Sequence, residues 1–488
     1  MTTIPTTSSA PARLRTEAEA LLRRNDTGSW TVAAPDLYPH QWSWDAGFIA
    51  IGWAHIDLER AVTESRSLFA AQWSNGKIPH IVFNPDAPPG SYWPGPQHWA
   101  CKVPDHAPSG CTPGTSGLCQ PPVHAIAVER LWRIAARAGV DTDRVRGFLA
   151  DAFPRLMAWH AYLLTARDPE GSGLVSIYHP WESGMDNASR WDAPMAAITA
   201  SAARAARTAD RLDLRVLNDG TQRPLDLAYD RFHMLVARLR DVCYDDAMVH
   251  AGHPFMVKDV FGSGLLVAAN TALARIARVI GAPDRDRRRI RAWTERGARG
   301  LRQARDPATG LSRDYDMRTG RWLSSLTIAG FAELIAGGTP QHQLRMLAGR
   351  LRSTAFAGHP RMRWAVPPST SPYDPAFDAR RDWRGPSWPV MTWLLWWALR
   401  QAGQPAAAEA LGAAALEQIW CSGGFPEYVE PFTGEPLGSL RQSWTAAVTI
   451  DWLAGTTPWS PAVARARHDG PCERAVHTQP ADLMESGG

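Results

Sequence analysis

Three carboxyl groups, Glu182, Asp186 and Asp192, sit within the stretch HPWESGMDNASRWD (179–192), flanked by Trp181, Met185 and Trp191. A solvated acidic turn has no use for that much indole, so the pattern points to carboxyls pressed against apolar plates. Such a setting raises a carboxyl pKa and keeps the acid protonated near neutrality. A second acidic stretch, FPEYVEPFTGEP (425–436), carries Glu427, Glu430 and Glu435 among aromatic and turn residues. One protonated and one ionised carboxyl are what acid–base cleavage of a glycosidic bond requires, the first giving a proton to the leaving oxygen and the second activating water or attacking the sugar.

Other chemistries lack their residues. The chain has no nucleophile elbow, no P-loop, no dinucleotide fingerprint and no zincin-type histidine spacing. Its 23 tryptophans are far more than an average composition supplies, and indole is a broad apolar plate suited to the C–H face of a sugar ring. A net charge of +4 over 488 residues is too small to imply nucleic acid or a membrane surface as partner. The N-terminal segment lacks the apolar core of a signal peptide, and no window approaches the roughly 18 apolar residues of a spanning helix, which predicts a cytoplasmic protein. Six cysteines make no disulfide framework and suit a reducing compartment. Cys101, Cys111 and Cys119 share a loop with His98 and His106, where irregular spacing favours reduced thiols over a zinc knot.

The elements that must position these residues are helices. Apolar residues recur at three- and four-residue spacing in about a dozen segments closed by Gly, Pro or Asp, including one from Trp44 to Phe69 and SSLTIAGFAELIAGG (324–338). Between alternate helices lie long Gly/Pro/Trp-rich loops at 73–122, 177–192, 356–388 and 421–441, and loops of that length in a compact domain carry function. This spacing predicts an all-α fold, a double-layered helical barrel with its loops gathered at one end, over residues 1–460. Insertions near 73–122, 177–225 and 356–388 act as lids, and residues 461–488, which lose all periodicity, form a disordered tail.

The segments QWSWDAGF, GKIPH, ESGMDN, WRGPSW and FPEYVEPFTGEP, in that order between residues 38 and 445, resemble the signatures of glycoside hydrolase family 63, in particular its bacterial branch of glucosylglycerate and mannosylglycerate hydrolases. The resemblance implies an (α/α)6 barrel and inverting hydrolysis of an α-linked glucose or mannose, with no metal or organic cofactor. It puts the general acid on Asp186 and the general base on Glu427, with Glu430 a neighbour. Asp45 with Tyr38, Trp42 and Trp44 would line the glucose subsite, Trp181 and Trp388 would supply stacking faces, and Gln120 a hydroxyl contact. Tyr92, Trp383 and Arg384 join the substrate-binding set.

For the glycerate-specific branch the resemblance implies a grip by an arginine and a tyrosine, here Arg223 and Tyr229, and by a glutamine, here Gln442. An arginine fork matches a carboxylate bidentately. The pattern also has a tyrosine just before WRGP, and here the sequence departs, reading Asp382 and then Trp383. Trp383 offers no phenol oxygen, and an ionised Asp382 facing the site would repel an anion. Alternatives are an α-glucosidase on neutral trehalose-like or short oligosaccharide substrates, an inactive sugar-binding barrel, and an epimerase-type barrel using histidines such as His40, His80 and His179. The partner in the leading reading is a small carbohydrate, and homo-oligomerisation stays open.

Overall fold

Two kinds of helical sequence sort into two layers. Ser43–Ala54 is apolar on every side and all of its residues are buried, whereas Asp284–Ala304 buries only Ile290, Trp293, Gly297, Gly300, Leu301 and Ala304, a single stripe at helical spacing under a coat of arginines. The first can only be an inner helix and the second only an outer one. The computed structural model describes residues 9–88, 90–101, 114–140, 142–199, 211–217, 219–455 and 459. The expected tail at 461–488 lies outside them, as do His106 and Cys111.

In chain order the helices are α1 (Ala10–Arg24), α2 (Ser43–Ala54), α3 (Leu58–Ala70), the short α4 (Pro96–Trp99), α5 (His124–Ala138) and α6 (Thr142–Thr165). They continue with α7 (Asp192–Ala196), α8 (Leu212–Leu217), α9 (Asp226–Asp241), α10 (Asp246–Gly252), α11 (Val260–Val279) and α12 (Asp284–Ala304). The chain closes with α13 (Ala332–Ala336), α14 (Gln341–Leu351), α15 (Pro389–Gln401), α16 (Pro405–Cys421) and α17 (Ser443–Gly455). Packing runs in a circuit: α2 on α5, α5 on α11, α11 on α13, α13 on α15, α15 on α17, and α17 back on α2. Each member of the circuit has an outer companion, α3 on α2, α6 on α5, α12 on α11, α14 on α13, α16 on α15 and α1 on α17.

Three expectations are corrected. The segment from Trp44 to Phe69 is two helices, broken at Asp57, whose carboxylate caps α3 by accepting from the N–H groups of Glu59 (3.0 Å) and Arg60 (3.1 Å). The helix at 324–338 shrinks to a 3₁₀ turn, Ile328–Phe331, and the five-residue α13, stopped by Gly337 and Gly338 in the left-handed region. Val260–Val279 is long and apolar enough to span a membrane, contrary to the expectation that no window is, but 83% of its most apolar window is buried against neighbouring elements, as suits a central helix. Among the described residues Cys101, Cys119 and Cys243 are free thiols, as expected for the first two.

Among the described residues the helical framework carries eight two-residue strands in three antiparallel sheets. They clamp the feet of loops. Pairing of β1 (Gln41–Trp42) with β2 (Ile81–Val82) fixes the entry to α2. The four strands β3 (Ser176–Ile177), β4 (Val257–Lys258), β5 (Tyr315–Asp316) and β6 (Arg321–Trp322) hold the stem before Trp181, and β7 (Tyr428–Val429) pairs with β8 (Pro436–Leu437) beside Glu427.

Candidate active site

Every long loop contributes to one pocket. The segment before α2 gives Tyr38, Trp42, Trp44 and Asp45; the loop at 73–122 gives His80, Tyr92, Trp93 and Gln120; that at 177–225 gives Trp181, Asp186, Arg211, Asp213 and Arg223; and Asp382, Trp383, Trp388, Glu427, Gln442 and Trp444 complete the wall with Tyr229. All the residues expected at the site line it except Arg384. Arg384 makes a bidentate ion pair with Asp192 on an adjoining cleft that shares Asp186 with the pocket.

The structure separates the acidic residues of the two stretches by what they touch. Glu182 is fully buried, binds the Arg167 guanidinium bidentately at 2.7 and 2.8 Å, and accepts the N–H groups of Tyr178 (2.8 Å) and Cys119 (3.2 Å). Burial alone would raise its pKa, but the Arg167 charge and these donors override it and hold the carboxyl at about 2. With its lone pairs taken, Glu182 is a strut. Asp192 is spent on Arg384. Glu430 accepts from the N–H of Phe432 (2.9 Å) and from the N–H and hydroxyl of Thr433, shaping the Pro-Phe-Thr-Gly turn. Asp186 and Glu427 alone of these groups line the pocket.

Their environments push the two toward different proton states. Burial raises Asp186 to about 7, with Arg223 opposing and the nearby carboxyls of Glu427 and Asp45 reinforcing the rise. Among the described residues no other side chain hydrogen-bonds to it. Glu427 is also raised by burial, but its charged form is supported by Arg223, whose Nη1 stands 3.9 Å from Oε1, by the Ser439 N–H at 3.2 Å from Oε2, and by the Tyr38 hydroxyl, which donates to Oε1 at 2.9 Å. Tyr38 itself is held as the neutral phenol, chiefly by burial. Burial raises both carboxyls, and of the two only Glu427 has side-chain and backbone donors that support its charged form.

Backbone geometry builds this pair. Gly184 of ESGMD adopts φ +68°, and a Cβ there would come within 2.9 Å of the Trp44 ring. Gly438 also has φ +68°, and a Cβ there would lie 2.3 Å from Oε2 of Glu427. Asp45 sits in the first turn of α2, and the next-door Trp44 N–H donates to Gln120 Oε1 at 3.2 Å, fixing that amide in the wall. Trp383 and Trp388 stack with ring centres 3.7 Å apart and planes 5° from parallel, and Trp388 stacks in turn on Tyr428 at 4.5 Å. Of GKIPH, His80 lines the pocket and Lys77 is scaffold: buried Lys77 donates to Gly117 O at 2.8 Å and lies 3.5 Å from the centre of the Trp73 ring.

On the far wall Arg223 donates from Nε to Asp213 Oδ2 at 3.3 Å, the Tyr229 hydroxyl donates to that same oxygen at 3.1 Å, and the Arg211 guanidinium lies 3.9 Å from the Tyr229 ring centre. Asp382 faces the pocket; burial first raises its pKa well above the usual range, against the pull of Arg223 and with the carboxyls around it reinforcing the rise, which favours its uncharged form. Sequence reading missed Arg211 and Asp213, which read as solvated helix charges, and Gln222, hidden beside Arg223. Gln222 O accepts from the Asp382 N–H (3.0 Å) and the Tyr428 hydroxyl (3.1 Å), and its Oε1 accepts from the Gly438 N–H (2.9 Å).

The histidines do not form an acid–base pair. Burial lowers His40 to about 4, and His80 and His179 to about 3, and His179 is fixed by the Phe232 carbonyl and the Trp181 N–H. Among the described residues no three His, Cys, Asp or Glu side chains gather as a metal site. Cys101 and Cys119 donate instead to Trp99 O and Glu182.

Residues 38–445 match the model of the mannosylglycerate hydrolase MGH1-like glycoside hydrolase domain. The chain is 43% identical to the glucosylglycerate hydrolase of Mycolicibacterium hassiacum over 91% of its own length and 99% of the relative's, and 38% identical to the mannosylglycerate hydrolase of Rubrobacter radiotolerans over 89% and 95%. Its fold is similar to the crystal structure of the family 63 mannosylglycerate hydrolase of Thermus thermophilus in complex with Tris and D-glycerate, with a TM-score of 0.81, 36% identity, and coverage of 90% of this chain and 99% of that one. The loops that meet at Asp186 and Glu427 thus lie within a chain that belongs to the MGH1-like mannosylglycerate hydrolase family of glycoside hydrolases.

Proposed function

We propose that the protein hydrolyses an α-glycosyl-glycerate, glucosylglycerate in preference to mannosylglycerate, with inversion at the anomeric carbon. Asp186 protonates the leaving oxygen, and Glu427 takes a proton from the attacking water as that water adds to the opposite face of the sugar. The circuit of six helices backed by six supports reading the framework as an (α/α)6 barrel, with the segments at 73–122, 177–225 and 356–388 as its lids. Asp45, Trp42, Trp44, Trp181 and Gln120 hold the sugar, and Arg223, Tyr229 and Gln442 hold the glycerate. The order of substrates follows the higher identity to the glucosylglycerate hydrolase.

The observation that carries the glycerate assignment is Arg223. Its guanidinium is buried in the pocket wall, and its Nη1 has no hydrogen-bond partner within the protein. A buried donor left unpaired costs about 1–3 kcal/mol, which an anionic leaving group offsets by accepting from it. Sugar release from glucosylglycerate, mannosylglycerate, trehalose and short α-glucans, with the fresh anomer read by proton NMR, tests the assignment. Release of β-glucose from glucosylglycerate is the expected result. Fresh α-glucose would overturn inversion, and release from neutral glucosides alone would overturn the glycerate assignment.

A further inference from the structure

Among the buried polar atoms of the pocket lining that lack protein partners, which include Nε1 of Trp388 and Trp444 and Oε1 of Gln442, are one cation and one carboxyl atom: Nη1 of Arg223 and Oδ1 of Asp382. The other Asp382 oxygen stands 4.0 Å from that same Nη1, beyond hydrogen-bond length, so the two groups flank a gap instead of satisfying each other. Arg223 is 6% and Asp382 4% exposed, too little for bulk water to serve both. A ligand group that meets both at once fits this arrangement.

The Asp382 backbone is held in place on both sides. Its N–H donates to Gln222 O at 3.0 Å, and its carbonyl accepts from Asn187 Nδ2 at 3.2 Å. The next residue, Trp383, turns the chain through the left-handed region at φ 56°, a conformation unfavourable for a bulky residue and held here by the stacking of its ring on Trp388. Such a turn aims a side chain; it does not leave it to drift.

We propose that Asp382 is a specificity-determining residue for the leaving group, donating the hydroxyl of its neutral carboxylic acid to one oxygen of a substrate carboxylate while Arg223 Nη1 donates to the same group. This rests on the glycosyl-glycerate reading above and names the contact that selects its anionic end. The charged and titratable groups facing Asp382 are Arg223, the carboxyls of Asp186, Asp213 and Glu427, and the phenols of Tyr38, Tyr229 and Tyr428. Burial and three neighbouring carboxyls against a single guanidinium favour the neutral acid. An O–H···O⁻ bond to a carboxylate is among the strong ones, so the acid becomes a donor toward an anion.

The test compares kcat/KM of the full-length protein for glucosylglycerate with that for glucosylglycerol, which carries a neutral hydroxymethyl group in place of the carboxylate. Losing one hydrogen bond to a charged group corresponds to about a tenfold to hundredfold fall in that ratio for D382A. D382N, nearly the same shape and still a donor, retains most of the wild-type ratio and guards against a folding defect. Raising the pH lowers the wild-type ratio as the acid ionises, and the D382N ratio does not follow it. An unchanged or improved ratio in D382A would overturn the inference alone. Failure of the wild type to release glucose from glucosylglycerate would overturn the substrate reading and this inference together.

Discussion

Replacing Tyr38 with phenylalanine removes one oxygen and leaves the ring in its edge-to-face contact with Trp42 at 5.3 Å. What is lost is the 2.9 Å hydrogen bond that the phenol donates to Glu427 Oε1. A hydrogen bond to a charged group contributes about 1.5–3 kcal/mol. Because it supports the ionised form, its loss makes proton release from Glu427 about ten- to hundredfold less favourable. The sign follows from the environment: burial already raises Glu427, Arg223, Ser439 and Tyr38 pull it back, and removing one of these moves it further up. The base must be ionised to act, so the acidic limb of the kcat/KM profile of Y38F shifts to higher pH by that factor in proton concentration. Activity falls most at low pH and recovers on the alkaline side until Asp186 ionises. Initial rates of glucose release across a pH series check this. A uniform fall with an unmoved limb would refute the tuning of Glu427 by Tyr38, and an unaltered profile would refute Glu427 as the base.

Asp186→Asn lowers kcat/KM for the glycosyl-glycerate by about 10²–10⁴-fold, the usual contribution of a positioned general acid. With α-glucosyl fluoride, whose leaving group needs no proton, the loss is much smaller; equal losses on both substrates would remove Asp186 from the acid role. In the wild type, the alkaline limb of kcat/KM is expected near the value of about 7 to which burial raises Asp186. Glu182→Gln leaves buried Arg167 with only the Asp246 carboxylate, 3.7 Å away, as counter-charge and lowers folding stability by up to about 3–5 kcal/mol, measurable by urea titration followed by circular dichroism. Gly438→Ala drives a methyl into the place of Glu427 Oε2 in a conformation that disfavours a side chain, so activity collapses while the far-UV spectrum keeps its helical shape.

Most of the site was legible because its residues come with their own turns. ESGMD, WRGP and FPEYVEPFTGEP each bring a chemical group together with the Gly or Pro that bends the chain beside it, and Asp186, Trp383 and Glu427 of these segments line the pocket. Inner and outer helices were legible for a similarly local reason, a full apolar surface against a single stripe. The rest depends on distant partners. Nothing local distinguishes Asp186 from Glu182; Arg167 does, by occupying the latter. Asp213 reads as a solvated charge until the loop carrying it folds against Arg223 and Tyr229. Arg384, expected in the sugar pocket, is drawn off by Asp192. The break between α2 and α3 was missed because both flanking segments are helical and a single cap, Asp57, decides the boundary.

The circuit of inner helices closes between α17 and α2, which lie at opposite ends of the described chain. At that seam the Asn25 side chain donates to Arg441 O and to the Ser443 hydroxyl, partners 416 and 418 residues away in sequence. A ribosome adding about 5–20 residues per second leaves α2, an apolar helix with no polar face to show to water, waiting some 20–80 seconds for its cover to be made. Through that interval α3 and α5 are available to pack on α2, and the side of it that meets α17 stays uncovered. A chain stopped short of α17 is therefore expected to leave that apolar side of α2 open to water.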